Sequence, residues 1–299
     1  LVLPPAAARL ADAHARIAAI DPPIAIIAAT RSAADEFALS LAAEKGATFG
    51  ISRSSVAELV VTIAIRALAR DGLTPSAPLS DEAVAARITD DLMTDQALKY
   101  FAPVAEMPGF PRALSRTLGE LRMAALDPSR LKGHAANDDL SALLKRAIAE
   151  RQRAGAVDYA TMLATATEEL RSNRHVLAGK TVLLLDIAIG SKTEAEFIHA
   201  VIAAAGSVIA TIPSGDKATL EHLKVPGVPE VPGVPKGSNA LDRLQRHLFS
   251  DDAPPAGEND ESVVLFSAPG EGREATEIAR RLLQEASRGV PFDQMAVLL

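Results

Sequence analysis

Two short stretches of the chain hold residues where nucleotide chemistry is ordinarily done. The turn Ala28-Ala29-Thr30-Arg31-Ser32 follows an apolar run and opens an amphipathic one, the place where a nucleotide-binding fold puts its phosphate loop. Such a loop needs glycines, so that bare N–H groups can wrap the phosphates, and a lysine that reaches them. This turn has no glycine, and the nearest lysine, Lys45, stands at the far end of the following helix. Farther along, Asp186 ends the apolar run Val182 to Leu185, a pattern in which a strand-end carboxylate holds Mg²⁺. Ile187-Ala188 follow it, so no glutamate is present to activate water. Thr30, Arg31, Ser32 and Asp186 therefore read as a degenerate nucleotide site, with Asp186 structural or vestigial.

Other chemistry is harder to find. Gly270-Glu271-Gly272-Arg273-Glu274-Ala275 has the G-x-G-x-x-A spacing of a dinucleotide turn. Glu271 and Glu274 would oppose a pyrophosphate there, while the same charges stabilise a helix start, which is the reading preferred. The six histidines lack metal-ligand spacing, and no G-x-S-x-G nucleophile turn occurs. No catalytic residue, metal or cofactor is expected. With no cysteine, disulfides and thiolate-bound metals are excluded, as a reducing cytoplasm permits.

The net charge of −7 excludes a surface basic all over, so any nucleic-acid contact must be local. From Pro108 to Arg153, nine basic residues face five acidic ones, the reverse of the chain's balance. Arg112 and Arg116 lie one turn apart on one helix face, and Arg122 follows; such a stripe contacts phosphates without reading sequence. Arg31 and Arg53, each just past or near the end of a strand, are expected at the carboxyl edge of a sheet, where open α/β folds bind ligands. These five arginines are the candidate DNA contacts.

The elements that must position them follow from periodicity. A helix over Pro4 to Ile20 precedes a buried strand, Ile24 to Ala29. Ser32-x-x-Asp35 resembles a capping box for a helix to Lys45; a strand over Ala47 to Ser52 and a helix to Arg70 complete β-α-β-α, the pattern of a parallel sheet. Helical windows then run over Asp81 to Tyr100, Pro111 to Ala125, Asp139 to Ala154 and Asp158 to Ser172. Strand Thr181 to Ile189, helix Glu194 to Ala205 and strand Ser207 to Ile212 return to the sheet. The Pro/Gly-rich stretch Val225 to Pro235 reads as an exposed connector. A helix over Ala240 to Phe249, a polar linker, a strand over Ser262 to Phe266, a helix over Glu271 to Ser287 and a strand from Met295 suggest a new unit. The expected division is 1–78 and 179–250 for an α/β domain, 79–178 for an inserted helical block, and 251–299 for the start of a second α/β domain. No apolar run reaches the length of a membrane span, the start lacks the basic lead of a signal peptide, and the parent protein is expected to continue past Leu299.

The order ATRSAADEF, ATFGISRSSVAELV, YFAPVAEMPGFPRALSRTLGELRMAALDP, TVLLLDIAIGSKTEAEF and SAPGEGREATEIARRLLQEASRGVPFDQMAVLL resembles the amino-terminal half of AddB-like proteins. These are RecB-family exonuclease subunits with an inactivated superfamily-one helicase scaffold and a carboxyl-terminal PD-(D/E)XK nuclease. The resemblance implies a P-loop-NTPase-like helicase domain 1A split by a helical 1B insertion, then the start of domain 2A. It also implies DNA end processing for recombinational repair beside a partner helicase subunit, with nuclease residues beyond Leu299. The chain departs from active helicases at Thr30-Arg31-Ser32 and at Asp186-Ile187, which argues against ATP hydrolysis.

A non-catalytic scaffold for single-stranded DNA or a duplex end is thus the leading expectation. An unorthodox ATP site around Arg31, Ser32 and Asp186 is the first alternative. A protein-interaction module for a helicase subunit is the second.

Overall fold

Ile24 to Ala28 and Thr181 to Leu185 are apolar at nearly every position, a composition suited to a parallel strand covered on both faces. Both are central strands in the computed structural model, which describes residues 2–3, 6–172, 176–213, 216–223, 239–247, 253, 255–258 and 260–298. In chain order the elements are β1 (Val2–Leu3), α1 (Ala6–Ala18), β2 (Ile24–Ala28), α2 (Arg31–Lys45), β3 (Ile51–Ser55), α3 (Val56–Arg70), β4 (Thr74–Pro75), α4 (Pro78–Thr94), α5 (Phe110–Met123), α6 (Ala135–Ala154), β5 (Ala156–Val157), α7 (Tyr159–Ser172), β6 (Thr181–Leu185), α8 (Lys192–Ala204), β7 (Ser207–Pro213), α9 (Lys217–Leu223), α10 (Ala240–His247) and α11 (Glu271–Ser287). The chain forms two units, Leu1–Val234 and Pro235–Leu299.

In the first unit the five strands run parallel in the order β1-β7-β6-β2-β3. Alternation along each strand divides its side chains between two cores. Ile24, Ile26 and Ala28 pack with Leu183 and Leu185 beneath Ile17 of α1 and Phe37 and Leu41 of α2. Ala25, Ile27, Val182 and Leu184 face Leu59 of α3, Leu163 of α7 and Phe197 of α8. Each fully buried Ile or Leu stabilises the fold by about 1.5–3 kcal/mol, so these short strands are held mainly by their two covers. The register aligns Ala28, Ser55, Leu185 and Thr211 across the carboxyl ends. Because β2 leads through α2 to β3 on one side while β6 lies on the other, the topological switch point falls between β2 and β6.

Between β4 and β5, which pair with each other, α4, α5 and α6 enclose a separate cluster that includes Ile88, Leu92, Leu114, Leu118, Leu143 and Leu144. The helix α7, read from sequence together with these helices, packs against α3 and α8 and contributes to the sheet's core.

Several boundaries differ from the sequence expectation. The second strand begins at Ile51 rather than Ala47, and Thr181 to Ile189 shortens to β6 because Asp186 turns the chain with φ +46°. The helix expected from Asp139 starts instead at Ala135, where His134 Nδ1 accepts from the Ala136 N–H at 3.2 Å. Asp139 turns inward and accepts from the N–H groups of Lys99, Tyr100 and Phe101, which also keeps α4 from extending to Tyr100. In the second unit α10 and α11 form, but the strands expected at Ser262 to Phe266 and from Met295 do not. With no neighbouring strand to supply hydrogen bonds, a short extended segment has no ladder to join. The Pro/Gly-rich stretch Val225 to Pro235 lies outside the described residues. Among the described residues no helix is long and apolar enough to cross a membrane.

Candidate functional site

The turn after β2 is closed by its own residues. Thr30, in extended conformation, caps α2 by accepting from the Ala33 N–H at 3.2 Å, so the cap lies two residues before the Ser32 expected from sequence. Asp35 is therefore released from the capping role and meets both local arginines. It accepts from Arg31 Nε at 3.1 Å, and Arg53 Nη1 lies 3.2 Å away. Glu58, which completes the capping box of α3 with Ser55, stands 3.7 Å from Arg31. The Asp35 hydrogen bond, then its charge, raise the Arg31 guanidinium above its ordinary pKa. Arg31 and Arg53 thus share Asp35 within a cluster whose two cations face two carboxylates, but Arg53 is the middle residue of β3, level with Ile26, because the strand runs on to Ser55 instead of ending before it. Ser32 is exposed beside them.

Asp186 is the strained residue at the carboxyl edge of the sheet. A positive φ is uncommon outside glycine, though aspartate tolerates it better than most residues. Its N–H donates to Thr211 Oγ1 at 2.9 Å, and its carboxylate receives Arg9 Nε at 3.0 Å and Nη2 at 2.8 Å. Arg9 comes from α1 and is 4% exposed. Burial pushes the Asp186 carboxyl up, but hydrogen bonds from Arg9 and Thr211 and the Arg9 charge hold it below its ordinary value. A bidentate guanidinium on a carboxylate is among the stronger side-chain pairings. The position that could have presented an anion to a metal is occupied by the chain's own cation. Among the described residues no group of three acidic or histidine side chains is placed to hold a metal.

The three arginines of α5 separate. Arg122 turns inward: Nε donates to Asp158 Oδ2 at 2.9 Å and Nη2 to Thr161 Oγ1 at 2.8 Å. Arg151 of α6, 8% exposed, joins from the other side, with Nη2 donating to Asp81 Oδ1 at 2.9 Å and Nη1 3.9 Å from Asp158 Oδ2. Its Nε and Nη1 are buried without a hydrogen-bond partner. Burial pushes the Asp158 carboxyl up, but Arg122 and Thr161 bring it down to about 2. This cluster ties α4, α5 and α6 to the start of α7. Arg112 and Arg116 point the other way and are exposed. Arg116 pairs with Glu120 at 3.1 Å, with its side chain still 84% accessible, while Arg112 has no ionic partner among the described residues. Both line a shallow groove with Glu82, Ser115 and Thr117.

Spacing alone did not single out three further exposed cations, Arg130, Lys132 and Lys145, which also lack an ion pair among the described residues. Arg130 and Lys145 both act on Asp127, whose carboxyl is lowered chiefly by the Ser129 N–H and hydroxyl. The excess of bases between Pro108 and Arg153 was the available signal, but which of them remain unpaired depends on partners elsewhere in the chain. Taken together, Arg31 and Arg53 are paired with carboxylates, whereas several cations between α5 and α6 are exposed and without an ionic partner among the described residues. No protein-family model and no curated protein matches the chain.

Proposed function

We propose that this chain is the DNA-binding, non-catalytic part of a helicase–nuclease that processes DNA ends for recombinational repair. Its scaffold is an AddB-like, inactivated helicase 1A domain with a 1B-like helical insertion, working in the cytoplasm beside a helicase subunit and guiding a strand towards a nuclease centre elsewhere in the parent protein. The observation that carries this reading is the exposed Arg112 guanidinium, without an ionic partner among the described residues, one turn from Arg116. A polyanion gains such contacts by releasing condensed counterions, so affinity falls steeply with salt. Arg31 and Arg53 join the track at the sheet edge by exchanging Asp35 for phosphate.

The test is the anisotropy of a labelled single strand across a salt series. Steeply salt-dependent binding is expected, and no binding at low salt overturns the proposal for this chain. An ATP site is less well supported, because Arg9 already occupies the Asp186 carboxylate. A melting shift with MgATP that Asp186→Ala abolishes would reverse that ranking.

A further inference from the structure

At the switch point between β2 and β6 the sheet edge opens into a cleft of about 530 Å³ between α1 and α2. Ligand pockets commonly fall in the range of about 300–1,000 Å³ and often lie at such switch points. Ala29 and Leu185 form its floor, Leu10 and Ala11 one wall, and Ala33 and Phe37 the other. Phe37 meets the His14 ring edge to face, with centroids 5.9 Å apart, and His14 is itself held by Glu44 at 3.2 Å. The aromatic end of the cleft is therefore preset rather than collapsed.

Its polar groups select against anions. The cleft is bordered by the carboxylates of Glu36 and Asp186 and the hydroxyl of Ser40. Arg9 is committed to Asp186, and Arg31 does not line the cleft. The first turn of α2 is capped by Thr30. A phosphate here would meet acceptors where it needs donors. An aromatic ring can lie against the exposed Leu10, Ala11 and Ala29, above the buried Phe37 and Leu185, and a donor group on that ring finds the Glu36 carboxylate.

We infer that this cleft binds a small planar aromatic molecule carrying an amine or amide donor, and excludes nucleoside phosphates. The inference does not rest on the proposed DNA binding, which is carried mainly by the α5 surface.

The test titrates the intact chain with 1-aminoanthracene and follows its fluorescence. Saturable enhancement at one site is expected. Ala33→Leu fills the cleft and should weaken binding about tenfold, as steric mismatch in an apolar pocket does. Leu10→Gln changes a wall residue already 39% exposed, where folding is not at stake, and should weaken binding in the same direction. Glu36→Gln should weaken it about threefold by loss of a charged acceptor. Absence of saturable enhancement overturns the inference. So does undiminished binding in Leu10→Gln and in a folded Ala33→Leu variant, or displacement of the probe by MgATP. Unaltered single-strand affinity in Leu10→Gln separates this result from any failure of the DNA reading.

Discussion

Around the turn after β2, Arg31 and Arg53 share Asp35, and at the end of β6 Arg9 is locked onto Asp186. On the outer face of α5, Arg116 has only its helical neighbour Glu120, and Arg112 has no ionic partner among the described residues. The same type of side chain thus occupies two settings within one unit. An arginine held on a half-buried carboxylate has exchanged part of its hydration for a fixed geometry and links elements, most strongly where the arginine is itself buried, as Arg9 is. An exposed arginine keeps its counterions and can release them to a polyanion. Substitutions in the first group should move stability, and those in the second should move binding.

The largest effect is expected at the junction of the helical segment and the sheet. Asp158→Ala removes the carboxylate between Arg122 and Arg151, so that the half-buried Arg122 loses its ionic partner while Arg151 keeps Asp81, a loss of about 3 kcal/mol. Urea denaturation measures it, and a change comparable with that of an exposed pair would remove the junction from the first group.

Asp186→Ala should cost about 2–3 kcal/mol, less than a fully buried pair because the carboxylate keeps 29% of its exposure. Arg9→Ala and the double variant complete a cycle, in which strictly additive losses would deny that the two side chains act as a pair.

The pH dependence of stability sharpens the same contrast. Asp158 is held at about 2, below its ordinary 3.8, so its contribution is present above 3.8 and is lost as pH falls from there through about 2. Linkage puts this at about 2 kcal/mol, visible as acid destabilisation that Asp158→Asn should largely lack.

Replacing Arg112 and Arg116 together by Ala should leave the melting temperature in place, weaken single-strand binding, and reduce the salt slope by about one to two phosphate contacts. Unchanged affinity and slope, with circular dichroism intact, would make α5 an ordinary solvated face. The smallest effect is expected for Arg31→Ala with Arg53→Ala, since these side chains must first leave Asp35. A larger loss of DNA affinity there than for the α5 pair would invert the comparison.

How far the sequence reaches can be judged from particular residues. IAIIA and TVLLL read as strands covered on both faces, because these apolar runs are shorter than a helix and rich in β-branched and leucine side chains. The β-α-β-α order made the first strand pairing parallel. The missing glycines of the 28–32 turn were equally plain, since a Cβ is either present or absent. The capping of α2 was only half legible: Thr30 and Ser32 are both good caps, and the backbone conformation chose Thr30. Strands beyond Ser262 were misread because a strand depends on a neighbour that local sequence does not specify.

Charge pairing lay furthest from view. Arg9 finds Asp186 across 177 positions, and Arg122 finds Asp158 across 36. Spacing within one helix announces pairs such as Arg116 with Glu120, because four residues make one turn. Pairs between elements depend on register and on how helices pack over the sheet. Composition alone therefore determined that this chain has apolar strands, a glycine-free turn and a locally basic segment. The tertiary structure decided which of its arginines are bound to carboxylates and which remain open to solvent.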